Sequence, residues 1–366
     1  MTKGITKQTV RRVLAKTAKA TGLFSFYGHS RWRTQRLLIL CYHGISLHDE
    51  HLWNPGLYMD RVTFRNRMQL LRAAQCHVLP LPEALARLEA GSLPPRSVVL
   101  TFDDGSYDVY AVAAPILREF EFPATIYLTT YYCQRQLPVF NPICAYLLWK
   151  GQGRDLSLNG ILPEGGEVHL AGEKEWRAVF RRIWDYTQGA NLSALGKDEL
   201  AERLAGQLGF DYSALRRQRL LHLMNPEEAA QLSKQGFAFQ LHTHRHMLPR
   251  DPVLFEREIR DNSEVIRDIT GSGSSPLHFC YPSGDYLPQF FAWLRKLGIE
   301  SATTCDPGLM ERGIDSMCIP RFLDMPTIQA AEVESWIAGF TPWLRARLGR
   351  PMRAVNPYQF QFPTPE

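Results

Sequence analysis

Two adjacent carboxylates, Asp103 and Asp104, end the apolar, β-branched run Ser97-Val-Val-Leu-Thr-Phe102 and are followed at once by Gly105. Neighbouring carboxylates at the end of a buried strand repel each other and resist desolvation, so one would be forced to hold its proton unless a cation or donor network sits beside them. The pair points to one carboxylate on a metal ion and its neighbour handling protons, although Asp-Asp-Gly alone also suits a solvated turn. Much later in the chain, Phe237-Ala-Phe-Gln-Leu241 delivers His242, His244 and His246 to a second polar terminus. His242 and His246, spaced i, i+4, would share one side of a helical turn and suit a single borderline-soft cation. With eleven histidines in the chain, that spacing is weak as a bare pattern; its place at a strand end, matching the strand that ends in Asp103-Asp104, carries the metal reading. One carboxylate and two imidazoles leave coordination positions for water and substrate, as a catalytic site requires.

In these segments, taken in order, the chain resembles the polysaccharide deacetylase family, carbohydrate esterase family 4 with its nodulation-protein-type deacetylase domain, and within it the permuted poly-N-acetylglucosamine deacetylase type. Thr101-Phe-Asp-Asp-Gly105 is similar to the first family motif, and His242-Thr-His-Arg-His246 to the second, His-[Ser/Thr]-x-x-His. Phe279-Cys-Tyr-Pro-Ser-Gly284 resembles the third, and Cys318-Ile-Pro-Arg321 a late Leu-Pro-Arg segment. The resemblance runs from about Leu37 to Arg321 and implies that Asp104, His242 and His246 hold a divalent metal, with Zn2+ the expected ion. It implies Asp103 as general base, an oxyanion position at a backbone N–H near Ser283, and Tyr281 at the substrate.

Two positions depart from the family pattern. Cys280 stands where the third motif usually begins with an arginine, and Arg321 is the candidate replacement. No histidine follows His278, whereas the family commonly draws its general acid from a C-terminal Leu-x-His motif. His43, in Leu37-Leu-Ile-Leu-Cys-Tyr-His-Gly-Ile45, is the candidate for that role: it ends an apolar run before a glycine, and the permuted type places a Tyr-His motif near the N-terminus as the acid. An imidazole can deliver a proton near neutral pH; the alternative is a core histidine bonded to a backbone carbonyl. His244 reads as a supporting or exposed residue and His278 as a local packing or capping one.

The elements that must position these groups alternate. Short apolar runs at Leu37–Cys41, Val98–Phe102, Ala124–Thr129, Phe237–Leu241, His278–Tyr281, Ala302–Thr304 and Cys318–Ile319 are separated by amphipathic stretches at Phe64–Ala73, Leu81–Leu88, 108–119, 226–235 and Leu254–Ile269, the last with Glu258 and Arg260 outward. Strand–helix alternation implies a parallel α/β sheet, with chemistry at the C-terminal strand ends. The expected fold is a distorted (β/α)7-type barrel over residues 37–345, with a basic segment at 1–36 and a tail at 346–366. A mainly helical insertion at about 139–222 breaks the alternation; such a segment commonly forms a cap or lid. Its Trp176 and Trp184 could bind glycan through their faces or pack inside the insertion.

Composition sets the outer bounds. A chain of 366 residues with 45% hydrophobic content can bury a sizeable core. Seven cysteines with no Cys-x-x-Cys pair read as reduced thiols and favour a cytoplasmic location. The first 36 residues carry nine cations, with no acid before Asp49, in a chain of net formal charge +5. No apolar run there is long enough for a signal peptide or a membrane span. Val10, Leu14, Ala18, Leu23 and Phe24 instead outline a short basic amphipathic helix able to lie on an anionic membrane at its inner face, a solvated tail being the alternative. No nucleic-acid partner is expected, because the charge is confined to one terminus. The function the resemblance implies is metal-dependent hydrolysis of the N-acetyl group of an N-acetylhexosamine glycan or lipid-linked sugar, in envelope or exopolysaccharide synthesis. The alternatives are an amide hydrolase acting on a formylated sugar lipid or small cyclic amide, and a catalytically silent glycan-binding or membrane-associated scaffold.

Overall fold

The computed structural model describes residues 23–271 and 275–348. The described chain divides into two compact units, one spanning Tyr131–Asn225 and the other comprising the described residues on either side of it.

The main sheet of the larger unit has nine strands, of which seven position the site: β1 (Arg36–Tyr42), β2 (Ser97–Phe102), β3 (Thr125–Leu128), β4 (Ala238–Leu241), β5 (His278–Cys280), β6 (Ser301–Thr303) and β7 (Phe322–Leu323). β1 to β6 lie side by side in chain order and all parallel; the other edge of β1 pairs antiparallel with Met310–Glu311 at its start and parallel with β7 further on. A further parallel bridge joins Thr303 of β6 to Ile319, so the segment Ile319–Leu323 touches both edges and curls the sheet into the expected α/β barrel. The seventh strand was expected at Cys318–Ile319. It forms at Phe322–Leu323 because Pro320, which has no N–H to give a ladder, interrupts the segment and leaves Ile319 as a single bridge.

β1 is buried along nearly its whole length, as the uninterrupted Leu37-Leu-Ile-Leu-Cys-Tyr42 run requires of a parallel strand covered on both faces. Its residues alternate between faces. Leu37 and Ile39 join Val99, Tyr127, Cys280 and Ile319 in one core cluster, and Tyr42 on the other face stacks on Phe102 and meets Phe64 edge-on. Helices Arg61–Ala73, Pro226–Lys234 and Pro252–Thr270 follow the strands, and Leu81–Ala90 adds Leu81, Ala84 and Leu88 to the core cluster. Asp60 and Asp251 cap two of them by accepting backbone N–H bonds. In Pro252–Thr270, Glu258 does not face outward as expected: it is buried with Phe255, Ile259, Asn262 and Ile266 on the i, i+3, i+4 stripe, because Arg245 gives it a cationic partner.

Residues 1–22 of the expected basic segment lie outside the described residues, as do 349–366 of the expected tail. The part of the N-terminal segment that is described belongs to the larger unit. Arg33 is fully buried, donating to the carbonyls of Ile337, Arg36 and Ser97, and Arg36 pairs with Glu311 over the ring of Trp32. These two cations are structural and not part of a solvated tail. No described helix is long and apolar enough to cross a membrane.

The smaller unit contains helices Phe140–Lys150, Glu173–Gly189, Ala194–Gln207 and Tyr212–Arg217 and an antiparallel pair, Asp155–Ser157 with Glu167–His169. Trp176, Val179, Phe180, Ile183 and Trp184 share the apolar stripe of the second helix and are buried, so of the two readings for these tryptophans the structure favours packing.

Candidate active site

The period-2 alternation of two neighbouring strands places the chemistry. The core-facing row of β1, Leu37, Ile39 and Cys41, continues to His43, and that of β2, Val99 and Thr101, continues to Asp103. At the ends of these rows His43 Nε2 lies 3.7 Å from Asp103 Oδ2. Both side chains are buried.

Arg321 reaches Asp103 from the segment that precedes β7. Its Nη1 and Nη2 donate to Asp103 Oδ1 and Oδ2, each at 2.7 Å. Its Nε donates to the Thr304 carbonyl, and its remaining donor directions meet Thr101 Oγ1 and Cys280 Sγ. Cys280 thus sits beside the guanidinium and fills, as a small thiol, space next to the carboxylate, with Cys41 Sγ on the same Asp103 oxygen at 3.5 Å. Burial pushes the Asp103 carboxyl up, but the bidentate guanidinium overrides it and holds the group well below the usual carboxylate range.

Asp104 adopts left-handed backbone (φ 69°), and Gly105 follows with φ 78°. A Cβ on Gly105 would stand 2.3 Å from Leu128 Cδ1, which explains the glycine after the carboxylate pair. This turn swings the Asp104 side chain away from Asp103 and toward the end of β4. There His242 Nε2 and His246 Nε2 lie 3.1 and 3.2 Å from the same oxygen, Asp104 Oδ1. The two histidines do not share a helical turn, as the i, i+4 spacing predicted. They converge through a bend in which Thr243 (φ 61°) and His246 (φ 57°) are left-handed, with ring centroids 5.0 Å apart. Thr243 Oγ1 accepts from Met247 N–H, and Glu258 accepts from Arg245 N–H, so local side chains replace the helical ladder.

His242 Nδ1 donates to the Cys280 carbonyl at 2.9 Å, which turns its Nε2 toward Asp104 Oδ1 at hydrogen-bond distance. His246 Nε2 is buried and, despite its closeness to Asp104, makes no directed hydrogen bond. Three possible ligand atoms of mixed N and O type, all within 4.8 Å of one another, meet here. That arrangement fits a borderline divalent cation held by Asp104, His242 and His246. Burial raises the Asp104 carboxyl, but contact with the two imidazoles holds it well below its usual range; His242, lowered by burial, is raised overall by Asp104 and Asp103.

The third-motif residues divide. Ser283 is left-handed (φ 59°) in the short turn Pro282–Gly284 that follows β5. Tyr281 is buried among Phe279, Tyr286 and Phe291, and its hydroxyl donates to the Met317 carbonyl, so its side chain is a packing group and not the substrate contact expected of it. His244 is buried against Thr130 Oγ1, and His278 bonds Ser301 Oγ.

Three supports of the site were not found from the sequence. Asn262 accepts from His242 N–H and donates to the Leu128 carbonyl and Thr130 Oγ1, fixing the end of β4 against that of β3. Its signal was available: a polar residue, like Glu258, on the apolar stripe of a helix. Asp324 accepts from Tyr42 Oη and Arg67 Nε, holding β1 just before His43. Its two partners lie in separate segments far from it in the chain and share no local pattern.

The third is Asp108. Its Oδ1 accepts from Ile45 N–H at 2.9 Å and from Ser106 Oγ at 2.7 Å, tying the turn after His43 to the turn after Asp104. Burial drives its carboxyl up to about 8, against the pull of those two donors, so at neutral pH it is largely protonated. Gly44 is required beside it, since a Cβ there would stand 2.3 Å from the Tyr58 ring. Asp108→Asn, which keeps a carbonyl acceptor, should therefore retain most of the stability. Asp108→Ala leaves the buried Ile45 N–H unpaired and should cost about 1–3 kcal/mol. Thermal unfolding of the two variants checks this, and equal losses in both would show that the bridge is immaterial.

The chain matches the polysaccharide deacetylase family model over residues 90–165 and 198–302, a span holding Asp103, Asp104, His242 and His246. Among curated proteins it is similar to the poly-beta-1,6-N-acetyl-D-glucosamine N-deacetylase of Staphylococcus epidermidis, 37% identical over 67 residues, which is 18% of this chain and 23% of that protein. It is 34% identical to its counterpart in Staphylococcus aureus over a stretch of the same extent. These matches span less than a quarter of the relatives' length. Among solved structures, Streptococcus pyogenes deacetylase PplD in complex with acetate shares the fold at TM-score 0.53 and 17% identity, covering 81% of this chain and 96% of that one. IcaB from Ammonifex degensii does so at TM-score 0.52 and 17% identity, covering 83% and 97%.

Proposed function

Because the chain belongs to the polysaccharide deacetylase family, we propose that it is a metal-dependent hydrolase removing the N-acetyl group from an N-acetylhexosamine glycan or lipid-linked sugar during envelope or exopolysaccharide synthesis. The observation that carries this reading is the pairing of an Asp104–His242–His246 cluster with a separate buried carboxylate, Asp103, held ionised by Arg321. A catalytically silent scaffold would have no need of a buried charge pair beside a metal-type cluster. Asp104, His242 and His246 would hold the ion, with Zn2+ the proposed identity. A divalent cation there polarises the amide carbonyl and makes water easier to deprotonate.

The protein's own groups then move the protons. Asp103 Oδ2 takes the proton given up by the attacking water. Because Arg321 holds Asp103 far below neutrality, that carboxylate is a poor resting place, and His43 Nε2, 3.7 Å away, is a better one. Burial lowers the His43 pKa against the opposing pull of Asp103 and Asp104, which favours a neutral imidazole able to receive the proton. It passes the proton to the amine nitrogen as the C–N bond breaks, giving acetate and a free amine. A backbone N–H near Ser283 is the proposed oxyanion donor. Placement in the cytoplasm, with residues 1–36 touching an anionic membrane, belongs to the same proposal.

Acetate release from a panel of N-acetylated oligosaccharides and lipid-linked sugars tests the reading; no release from any of them at full metal loading, with formyl or cyclic amides cleaved instead, would replace it. His43 has its own test. An amine leaving group needs a proton and a nitrophenolate does not, so His43→Ala should lose about 100-fold or more on an N-acetyl sugar and far less on nitrophenyl acetate, with metal content unchanged. Equal losses on both substrates would show that His43 only shapes the pocket.

A further inference from the structure

We propose that the N-terminal helix Leu23–Gly28 and the C-terminal helix Phe340–Arg347 together form one composite surface that docks on an anionic lipid bilayer. The proposal builds on membrane contact by residues 1–36 and does not depend on the deacetylase reading. The two helices stand at opposite ends of the described chain but are joined by rings. Phe24 meets Phe340 at 6.0 Å, and Tyr27 meets Phe340 at 5.3 Å and Trp343 at 4.8 Å. From this cluster apolar groups run out into solvent: Phe26, 5.7 Å from Tyr27, is 73% exposed, and Leu348, just past the second helix, is 58% exposed.

Along the two helices themselves the charge has one sign, the acids Glu332 and Glu334 belonging to the neighbouring helix Ala330–Ile337. Arg347 lies over the Trp343 ring and is exposed, as is Arg31. No acidic residue occurs between 23 and 36 or between 340 and 348. The segments that continue from the two helices, 1–22 and 349–366, carry eight cations against the single acid Glu366. Exposed aromatic and aliphatic groups with cations beside them match the boundary between acyl chains and anionic headgroups, where each cation adds on the order of 1 kcal/mol. Arg33 and Arg36 are consumed inside the fold, so charge in residues 1–36 alone overstates what that segment presents, and the C-terminal helix makes up part of the difference.

The test uses the full chain and cosedimentation with phosphatidylcholine vesicles, with and without phosphatidylglycerol, at low and high salt. Binding is expected only with the anionic lipid and should fade at high salt. Phe26→Ser combined with Arg347→Glu alters two exposed positions and should weaken binding about tenfold or more with the thermal midpoint unchanged. Replacing the six cations of residues 1–22 by Gln should leave weaker but measurable binding. If the Phe26/Arg347 variant binds like the parent, the composite surface is wrong although the N-terminal contact stands. If the parent ignores anionic vesicles at low salt, both fail. Tighter capture of duplex DNA than of anionic vesicles would mark the surface as a polyanion site and overturn the lipid assignment.

Discussion

Asp103→Asn should yield a folded protein that retains its divalent ion and has lost two to four orders of magnitude of turnover, the scale of a missing general base. The expectation follows from the separation of the two carboxylates. Asp104 turns to His242 and His246, whereas both Asp103 oxygens are taken by Arg321. An asparagine can still accept one guanidinium N–H but cannot take up a proton at neutral pH. It also turns an NH2 group toward the other guanidinium nitrogen, which weakens the pair. Breaking a buried ion pair outright costs about 3–5 kcal/mol, and the retained acceptor should hold the loss below that. Thermal unfolding, metal stoichiometry and acetate release on the same preparation separate a chemical defect from a folding one. Metal lost in Asp103→Asn but kept in Asp104→Asn would exchange the two assignments. The carboxylate stays ionised far into acid, so a loss of rate between pH 7 and pH 5 is not assigned to Asp103.

The barrel was legible because β1 and β2 are buried on both faces, which forces near-continuous apolar runs, and because the polar residues that end such runs have few structural reasons to be there. The same logic placed Asp103, Asp104, His43 and the histidine group at strand ends. What the sequence could not convey was how neighbouring residues turn away from one another. Asp104 and His246 reach the same point only through left-handed backbone, and neither is a glycine that would announce it. The Arg321–Asp103 pair joins residues far apart in the chain, so the motif Ile-Pro-Arg marked a candidate without showing its reach. Tyr281 was misjudged because its motif neighbours line the strand end while its own side chain points into an aromatic cluster. Glu258 was read as outward because a carboxylate on a helix usually is, and the cation that stabilises it inside, Arg245, comes from the histidine bend itself.

His242→Ala and His246→Ala should each abolish tight metal binding and with it nearly all activity, but through different physical routes. His246 is about one-third exposed, and its Nε2 makes no directed hydrogen bond, so its removal should leave thermal stability in chelator almost unchanged. His242 is fully buried, and its ring bridges the Cys280 carbonyl of β5 and Asp104 at the end of β2. Truncating it opens a cavity and orphans that carbonyl, so His242→Ala should also destabilise the metal-free protein by about 1–3 kcal/mol. Ion binding to the folded state adds stability in proportion to the logarithm of free metal over the dissociation constant. Added Zn2+ should therefore raise the unfolding temperature of the parent and leave both variants nearly still. Asp103→Asn should respond to the ion as the parent does. If His246→Ala keeps stoichiometric metal and a full thermal response, the ion is held elsewhere, and the candidates become the neighbouring groups Asp103–His242–Cys280 and Cys41–His43–Asp103. The buried Arg321 cation argues against both, because it already occupies the charge of Asp103 that either group would need.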